Sequence, residues 1–300
     1  MATIDTQNMA ERLLRLVILL QTLGLAAAIV FTPLETEQDL YGLLYFDWDW
    51  PEAVAQRIED WGAVASLAAA GAVVALGFRA ADAESRRRFL NWLAAGMLIY
   101  IAVFQLLLAA TKTWRGGSFM GEWTVPEQAT RILAPVAVCW MIAGCRIAIT
   151  PGGLRLPLAA MLASTLAGSA GEWTLRIAAA LTFFAHGLKS LYKAPQFVSL
   201  ILGSGENLLG WSIPQRSAET ALQVIGVVDI CLAILLVTTR WRSVAWYMAI
   251  WGAITAFSRM TALGWEWYPE TLVRAANCGV PLALAILWSI QTRSASEGER

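Results

Sequence analysis

Residues 89–111 read FLNWLAAGMLIYIAVFQLLLAAT and contain no charged side chain. An α-helix rises about 1.5 Å per residue, so this run is long enough to cross the roughly 30 Å hydrocarbon core of a bilayer. Because lipid offers no hydrogen-bond partner to an open sheet edge, the run is predicted to be a membrane-spanning helix. It decides the fold class, since soluble domains rarely carry an uninterrupted apolar run of this length.

Similar apolar runs recur along the chain between charged or proline-containing breaks. The composition agrees, because 58% of the residues are hydrophobic and 15% are charged, and the mean hydropathy is +0.56. We therefore expect an all-α polytopic membrane protein with the lipid bilayer as its partner. The eight predicted spans lie near 13–32, 62–79, 89–111, 129–149, 173–191, 221–239, 244–262 and 272–291.

The two halves of the chain carry the same landmarks in the same order. Glu-Trp followed by Pro-Glu-x-x-x-Arg occurs at 122–131 and again at 266–274, and residues 11–15 and 172–176 share Glu, Leu and Arg at matching positions. This indicates an internal duplication. Each unit has four predicted spans, an even number, so the two repeats are predicted to be parallel, about an axis along the membrane normal.

The predicted domains are a first four-helix repeat at 1–150, the degenerate copy, and a second at 151–300. Most Lys and Arg residues fall on the side that holds both termini, and most acidic residues fall on the opposite side. Lys and Arg are enriched in short cytoplasmic loops, so both termini are predicted to be cytoplasmic. We expect the chain in a bacterial inner membrane, with the interface between the repeats as the natural place for a site.

Counts of reactive residues limit the chemistry that the chain can perform alone. The formal net charge is zero, which gives nucleic acid no basic surface to bind. One histidine, His186, is too few for bis-histidine haem or a multi-histidine metal site. The four cysteines fall in apolar runs without a C-x-x-C pair, and we interpret them as packing residues. No metal site, intrinsic cofactor or catalytic residue is predicted.

Three basic residues lie on one face of the fifth predicted span. His186, Lys189 and Lys193 are spaced i, i+3 and i+7, near the outer end of that helix. One interpretation has the lysines reaching toward the outer headgroups above a hydrogen-bonded histidine. The other is a site for an anion or a quinone carbonyl, in which His186 relays a proton.

Asp229 and Arg259 lie inside the sixth and seventh predicted spans, where an ionisable side chain costs about 2.5–3.5 kcal/mol to insert. We expect the two side chains to contact each other, because a buried pair is cheaper than two isolated charges. The pair has two interpretations, a structural ion pair or part of a proton or ligand path. Gln21 and Gln105 are predicted to form interhelical hydrogen bonds.

Arg131 and Arg274 each lie one turn into the last helix of their repeat. The surrounding motif suits a membrane interface, because tryptophan anchors at headgroups, proline starts a helix and glutamate favours its positive end. Alternatively, the two arginines face inward and hold an anionic headgroup or a carboxylate.

The stretch RIAAALTFFAHGLK at 176–189 resembles the first helix of the DoxX-like family of four-helix membrane proteins, with Arg, a His-Gly pair and Lys in order. The resemblance continues through Pro214, Glu219 and Arg240 and covers roughly residues 172–290. It implies a membrane subunit of thiosulfate:quinone oxidoreduction or a partner of a secreted redox enzyme. The first half has Leu23-Gly24 in place of the His-Gly pair, and the chain lacks the paired cysteines of the thiol-oxidising branch.

Three functions are consistent with these features. The first is a DoxX-like accessory subunit that binds a quinone, lipid or small anion near His186, Lys189, Asp229 and Arg259, with a redox protein partner supplying electrons. The second is a small-solute transporter, and the third is a membrane scaffold without catalysis. An autonomous enzyme ranks below all three, because no nucleophile–base pair or phosphate loop is present.

Overall fold

A computed structural model describes residues 2–31, 39–77, 84–116, 122–147 and 157–289. Every regular element within these ranges is helical, which confirms the predicted all-α class. The apolar composition explains this outcome, because a helix satisfies its own backbone N–H and C=O groups without help from the solvent.

The described α-helices are numbered here in chain order. They are α1 (Ala2–Ala26), α2 (Asp39–Gly42), α3 (Glu52–Gly77), α4 (Glu84–Gly116), α5 (Thr124–Glu127), α6 (Ala129–Ile147), α7 (Pro157–Leu191), α8 (Pro195–Leu209), α9 (Gln215–Thr238), α10 (Arg242–Leu263), α11 (Tyr268–Val273) and α12 (Ala275–Leu287). Helices α1 and α2 each continue into a turn of π-helix, and a short 3₁₀ turn precedes α11.

Four described helices are long and apolar enough to cross a membrane, namely Gln7–Ile29, Glu52–Gly77, Arg86–Arg115 and Gln215–Thr238. Helices α11 and α12 together make a fifth candidate, although a 46° bend separates them. Helices α6, α7 and α10 occupy the positions of the other three predicted spans. The structure thus supports several membrane-spanning helices, and the eight-span arrangement stays a prediction.

The segment between the predicted fifth and sixth spans is largely helical rather than a loop. Helix α8 begins with Pro195, whose fixed backbone angle suits a first helical position. It ends at Gly210, which adopts a left-handed conformation with φ of 63°. Glycine enters that region without a steric penalty and so closes the helix.

Helices α1 and α7 form the centre of the bundle. Helix α1 packs against α3, α6, α11 and α12, and helix α7 packs against α9, α12, α5 and α6. Each central helix thus touches the next long helix along the chain and the terminal helices of both halves. Small residues allow these close contacts: a Cβ atom added to Gly24 would lie 2.4 Å from the backbone nitrogen of Val273.

An arginine ties each central helix to the end of its neighbour. Arg15 of α1 donates to the carbonyl of Val73 in α3 and pairs with Glu11. Arg176 of α7 donates to the carbonyls of Leu236, Val237 and Thr239 at the end of α9, and pairs with Glu172. Since the last carbonyls of a helix lack intrahelical partners, these arginines act as side-chain caps for α3 and α9.

Candidate functional site

A cavity of about 810 Å³ lies between helices α7, α8, α9, α10 and α12. Most of its wall is apolar, as at Phe183, Phe197 and Leu222. Its polar lining includes the side chains of Thr182, His186, Asp229, Arg259, Arg274 and Asn277. Such a cavity, mostly apolar with a few polar groups, is the usual form of a small-molecule site.

The cavity reaches the flank of the bundle at helix α10. Ile250, Ile254 and Phe257 line it, yet more than half of each side chain is also exposed. The cavity therefore opens at an apolar part of the surface of the bundle.

Two glycines bring α7 and α9 together beside the cavity. A Cβ atom added to Gly226 would lie 2.6 Å from the carbonyl oxygen of Gly187, which is closer than real Cβ atoms come. A Cβ atom added to Gly187 would lie 3.3 Å from the Cβ of Asp229. The close crossing thus places Asp229 of α9 next to the part of α7 that carries His186.

Glu127 of α5 reaches α7 and pairs with two of the predicted site residues. Its Oε2 accepts a hydrogen bond from the Lys189 ammonium group, and its Oε1 lies 3.4 Å from Nε2 of His186. The Nδ1 of His186 lies 2.9 Å from the carbonyl oxygen of Thr182. Both ring nitrogens of His186 therefore face protein acceptors, and a proton relay from His186 to a ligand would have to break one of these contacts.

The surroundings of Glu127 favour its charged form. Burial by itself would raise the pKa of this carboxyl, but the positive charges of His186 and Lys189 outweigh burial and lower the pKa from 4.5 to about 2. Glu127 is thus the ionised partner of the buried Lys189, whose side chain is only 6% exposed.

This lowered pKa predicts an acid-dependent loss of stability. A group whose pKa is lower in the folded state than in the unfolded state stabilises the fold fully above its unfolded pKa. We expect the Glu127 contribution to be complete above about pH 4.5 and to be lost progressively as the pH falls toward 2. Melting temperatures in detergent from pH 6 to pH 3 test this. The drop should be smaller in Glu127→Gln, and equal drops in the two proteins would contradict the assignment.

Arg274 lies at the break between α11 and α12. Its guanidinium donates to the backbone carbonyl of Glu270 at 2.8 Å and pairs with the Glu270 carboxylate. The charges of Arg259 and Arg131 also act on that carboxylate. Glu270 is 3% exposed, so the bend in this helix pair holds a buried carboxylate among three arginines.

The expected pair between Asp229 and Arg259 is wrong. Both side chains line the cavity, but Asp229 takes a hydrogen bond from the Trp251 side chain, and Arg259 acts on Glu270 instead. Asp229 is 3% exposed, and its Oδ1 atom has no hydrogen-bond partner. The cavity thus holds a carboxylate oxygen that the described residues leave unsatisfied.

The six predicted binding residues separate into two sets. His186, Asp229, Arg259 and Arg274 line the cavity, whereas Lys189 and Arg131 are buried outside its wall. The first interpretation of Lys189, a side chain reaching the outer headgroups, is wrong because Glu127 holds it inside the protein. Arg131 affects the site through the electrostatic effect of its charge on the Glu270 carboxylate.

Other predicted polar contacts have mixed outcomes. Lys193 lies beyond the end of α7 and pairs with Glu219 at 3.0 Å, whereas Lys189 pairs with Glu127, so the three basic residues do not form one strip. Gln21 donates to the carbonyl of Arg131 at 3.1 Å, which confirms an interhelical hydrogen bond. Gln105 is fully buried, and its amide nitrogen and oxygen have no hydrogen-bond partner among the described residues, so the prediction for Gln105 is wrong.

Sequence reasoning missed the two glutamates that organise the site. Glu127 and Glu270 were interpreted only as helix-start residues of the repeated motif. A signal was present, since each is followed by an arginine four residues later and has an aromatic residue nearby. That pattern did not show which side chains on other helices Glu127 and Glu270 contact.

The aromatic cluster of the first half belongs to a buried apolar core. Leu25, Leu40, Leu44, Phe104 and Leu108 pack together there. Tyr41 and Tyr45 pack against this core and stack on each other with ring centroids 5.5 Å apart.

The described cysteines form no disulfide. Cys139, Cys231 and Cys278 are free, and Cys278 lines the cavity. The side chain of Cys145 lies outside the described residues. Within the described ranges, no group of three or more His, Cys, Asp and Glu side chains is placed to hold a metal ion.

Comparison with known proteins gave no match. No family model matches the chain, and no curated protein or solved structure is significantly similar to it.

Proposed function

We propose that this chain is an accessory membrane subunit that binds a quinone or a similar amphiphile in the cavity of its second half, next to a redox partner that supplies electrons. The observation that carries the proposal is the combination, in one cavity of about 810 Å³, of an apolar wall with His186, Asp229, Arg259 and Arg274. A quinone likewise combines a polar ring, which suits the polar side chains, with an apolar tail, which suits the apolar wall. The resemblance of residues 172–290 to DoxX-like subunits supports the same ligand class.

The charge around the cavity favours a ligand whose head carries electron-rich oxygen atoms. Four cationic side chains stand against three carboxylates in and beside the wall. They are Lys189, Arg131, Arg259 and Arg274 against Glu127, Glu270 and Asp229. An oxygen with partial or full negative charge is stabilised by such an excess, and the low dielectric of the interior strengthens the attraction.

The proposed architecture is eight spans in two parallel four-helix repeats, with both termini on the cytoplasmic side of a bacterial inner membrane. Matching contacts support the repeat: α1 packs on α3 and on α11–α12, while α7 packs on α9 and on α5–α6. The corresponding arginines, Arg15 and Arg176, both bind carbonyls at the end of the next long helix. Lys and Arg placement supports the orientation.

A second candidate function is transport of a small anion. The 46° break at Arg274 favours it, because discontinuous helices with exposed backbone often form transporter sites near the membrane midplane. The predicted spans contain no clear helix break, so the observed break adds support for a transporter that the amino-acid pattern alone does not provide.

Native mass spectrometry of the gently extracted protein tests the proposal. Ala253 lines the cavity, and Ala253→Trp is expected to place a bulky side chain in it and to abolish a quinone-sized adduct seen in the wild type. Ala221→Trp is the matched control, since Ala221 is exposed on α9 and does not line the cavity. We expect the control to keep the adduct at the wild-type level.

The other outcomes decide between the alternatives. A wild-type protein without any quinone or lipid adduct would contradict the proposal, as would an adduct that persists in Ala253→Trp. Anion uptake by proteoliposomes containing the wild type, with Ala253→Trp blocking it, would favour the transporter instead.

A further inference from the structure

We propose that Asp229 recognises a hydroxyl group on the ligand head, so that the cavity binds the quinol form of a quinone more tightly than the dione form. This inference rests on the proposed function, because it concerns the ligand of the same cavity. In this proposal, Asp229 determines which of the two oxidation states of the quinone binds more tightly.

The side chain of Asp229 lines the cavity and holds a hydrogen-bond acceptor that the described residues leave without a donor. This atom is the buried Oδ1, although Trp251 hydrogen-bonds to the same carboxylate. A buried polar atom without a partner costs about 1–3 kcal/mol, so a ligand donor at this position would recover that cost.

The other polar groups nearby are already engaged. The ring nitrogens of His186 face Thr182 and Glu127. The Oδ1 atom of Asn277 accepts a hydrogen bond from Thr130 at 2.8 Å, and Arg274 is paired with Glu270. Among these groups, Oδ1 of Asp229 is the one that can accept a hydrogen bond from a donor on the ligand.

The two forms of a quinone differ in this respect. The oxygens of the dione only accept hydrogen bonds, so a dione oxygen placed against the ionised Asp229 carboxylate meets a second acceptor. A quinol hydroxyl can instead donate a hydrogen bond to Oδ1 of that carboxylate. The quinol therefore supplies a hydrogen bond to Asp229 that the dione cannot supply.

The crossing of α7 and α9 fixes Asp229 at this position. A Cβ atom added to Gly187 would already contact the Cβ of Asp229 and approach Ile230 to 2.8 Å. The backbone beneath Asp229 is thus held against α7, and the carboxylate is oriented before a ligand arrives. Such preorganisation reduces the entropy lost on binding.

The experiment measures binding of decylubiquinol and decylubiquinone to the purified full-length protein in nanodiscs, under argon, by isothermal titration calorimetry. We expect the wild type to bind the quinol at least about tenfold more tightly, which corresponds to about 1.4 kcal/mol. Asp229→Asn should reduce that ratio to less than about threefold. Ser258→Ala is the matched control, because Ser258 lines the cavity but donates to the carbonyl of Thr255 in its own helix, and it should keep the wild-type ratio.

A ligand-side measurement keeps the test valid if Asp229→Asn does not fold. The dimethyl ether of decylubiquinol lacks both hydroxyl donors, so the wild type should bind it no better than the dione. Equal wild-type affinities for quinol and dione, or a preference that survives in Asp229→Asn, would overturn the role of Asp229 while leaving quinone binding intact. Failure of the wild type to bind either form would contradict the proposed function itself.

Discussion

Glu127→Gln is expected to lower the free energy of unfolding by about 3–5 kcal/mol, the usual cost of removing one partner of a buried ion pair. The reason is that Lys189 is only 6% exposed and would lose its anionic partner, as would His186 at 3.4 Å. Thermal unfolding in detergent, followed by circular dichroism, measures the loss. The effect should be large because the Lys189 ammonium group is almost entirely buried and would be left without its anionic partner.

A double variant separates the ion pair from a general packing defect. Glu127→Gln combined with Lys189→Met removes both charges, and its melting temperature should recover part of the loss seen in Glu127→Gln alone. Additive losses in the double variant would show that the two residues do not interact. A pair at an exposed position, such as Lys193 with Glu219, should give a loss below about 1 kcal/mol when broken.

Gly226→Ala is expected to destabilise the protein by about 1–3 kcal/mol, although alanine is normally the better helix former. The added Cβ would lie 2.6 Å from the Gly187 carbonyl oxygen and 2.9 Å from the backbone nitrogen of Leu191. Backbone atoms cannot rotate away, so α7 and α9 must separate. Because Asp229 is carried by α9, quinol affinity should fall together with the melting temperature.

Gly96→Ala provides the matched control for this substitution. A Cβ at Gly96 would have no atom within 4 Å, so the same change in a membrane-spanning helix should leave stability unchanged or raise it by up to about 1 kcal/mol. If Gly226→Ala melts at or above the wild-type temperature, the close crossing of α7 and α9 is not a constraint on the fold. If Gly96→Ala is equally destabilising, the loss does not come from the crossing.

Much of the local structure could be predicted from residues alone. The apolar runs predicted helices at all eight positions, and the described residues place a helix at each of them. The predicted helix starts were less accurate, because α1 begins at Ala2 and α7 begins at Pro157, before the predicted spans that they contain. In α1 the added residues are mostly polar, so hydropathy marks the apolar part of that helix rather than its start. In α7 the added residues 157–171 are mostly apolar and uncharged, and the predicted span left them out.

The candidate site was only partly predictable for a different reason. Helical periodicity placed His186 and Lys189 on one face, and the cost of charges in lipid singled out Asp229, Arg259 and Arg274. Of these five, Lys189 is buried outside the cavity wall, and the other four line it. The expected partner of Asp229 was wrong, because two charges in neighbouring spans need not lie at the same depth or face each other.

The sequence by itself determined that this is a helical protein with several spans suited to a bilayer. This property depends on composition and on a period of 3.6 residues, and both are local features of the sequence. Only the tertiary structure decided that Glu127 pairs with Lys189 across 62 residues and that Asp229 lines the cavity with an oxygen atom that has no hydrogen-bond partner among the described residues. The rotation and depth of each helix depend on how all the side chains at its contacts pack together, and no single segment contains that information.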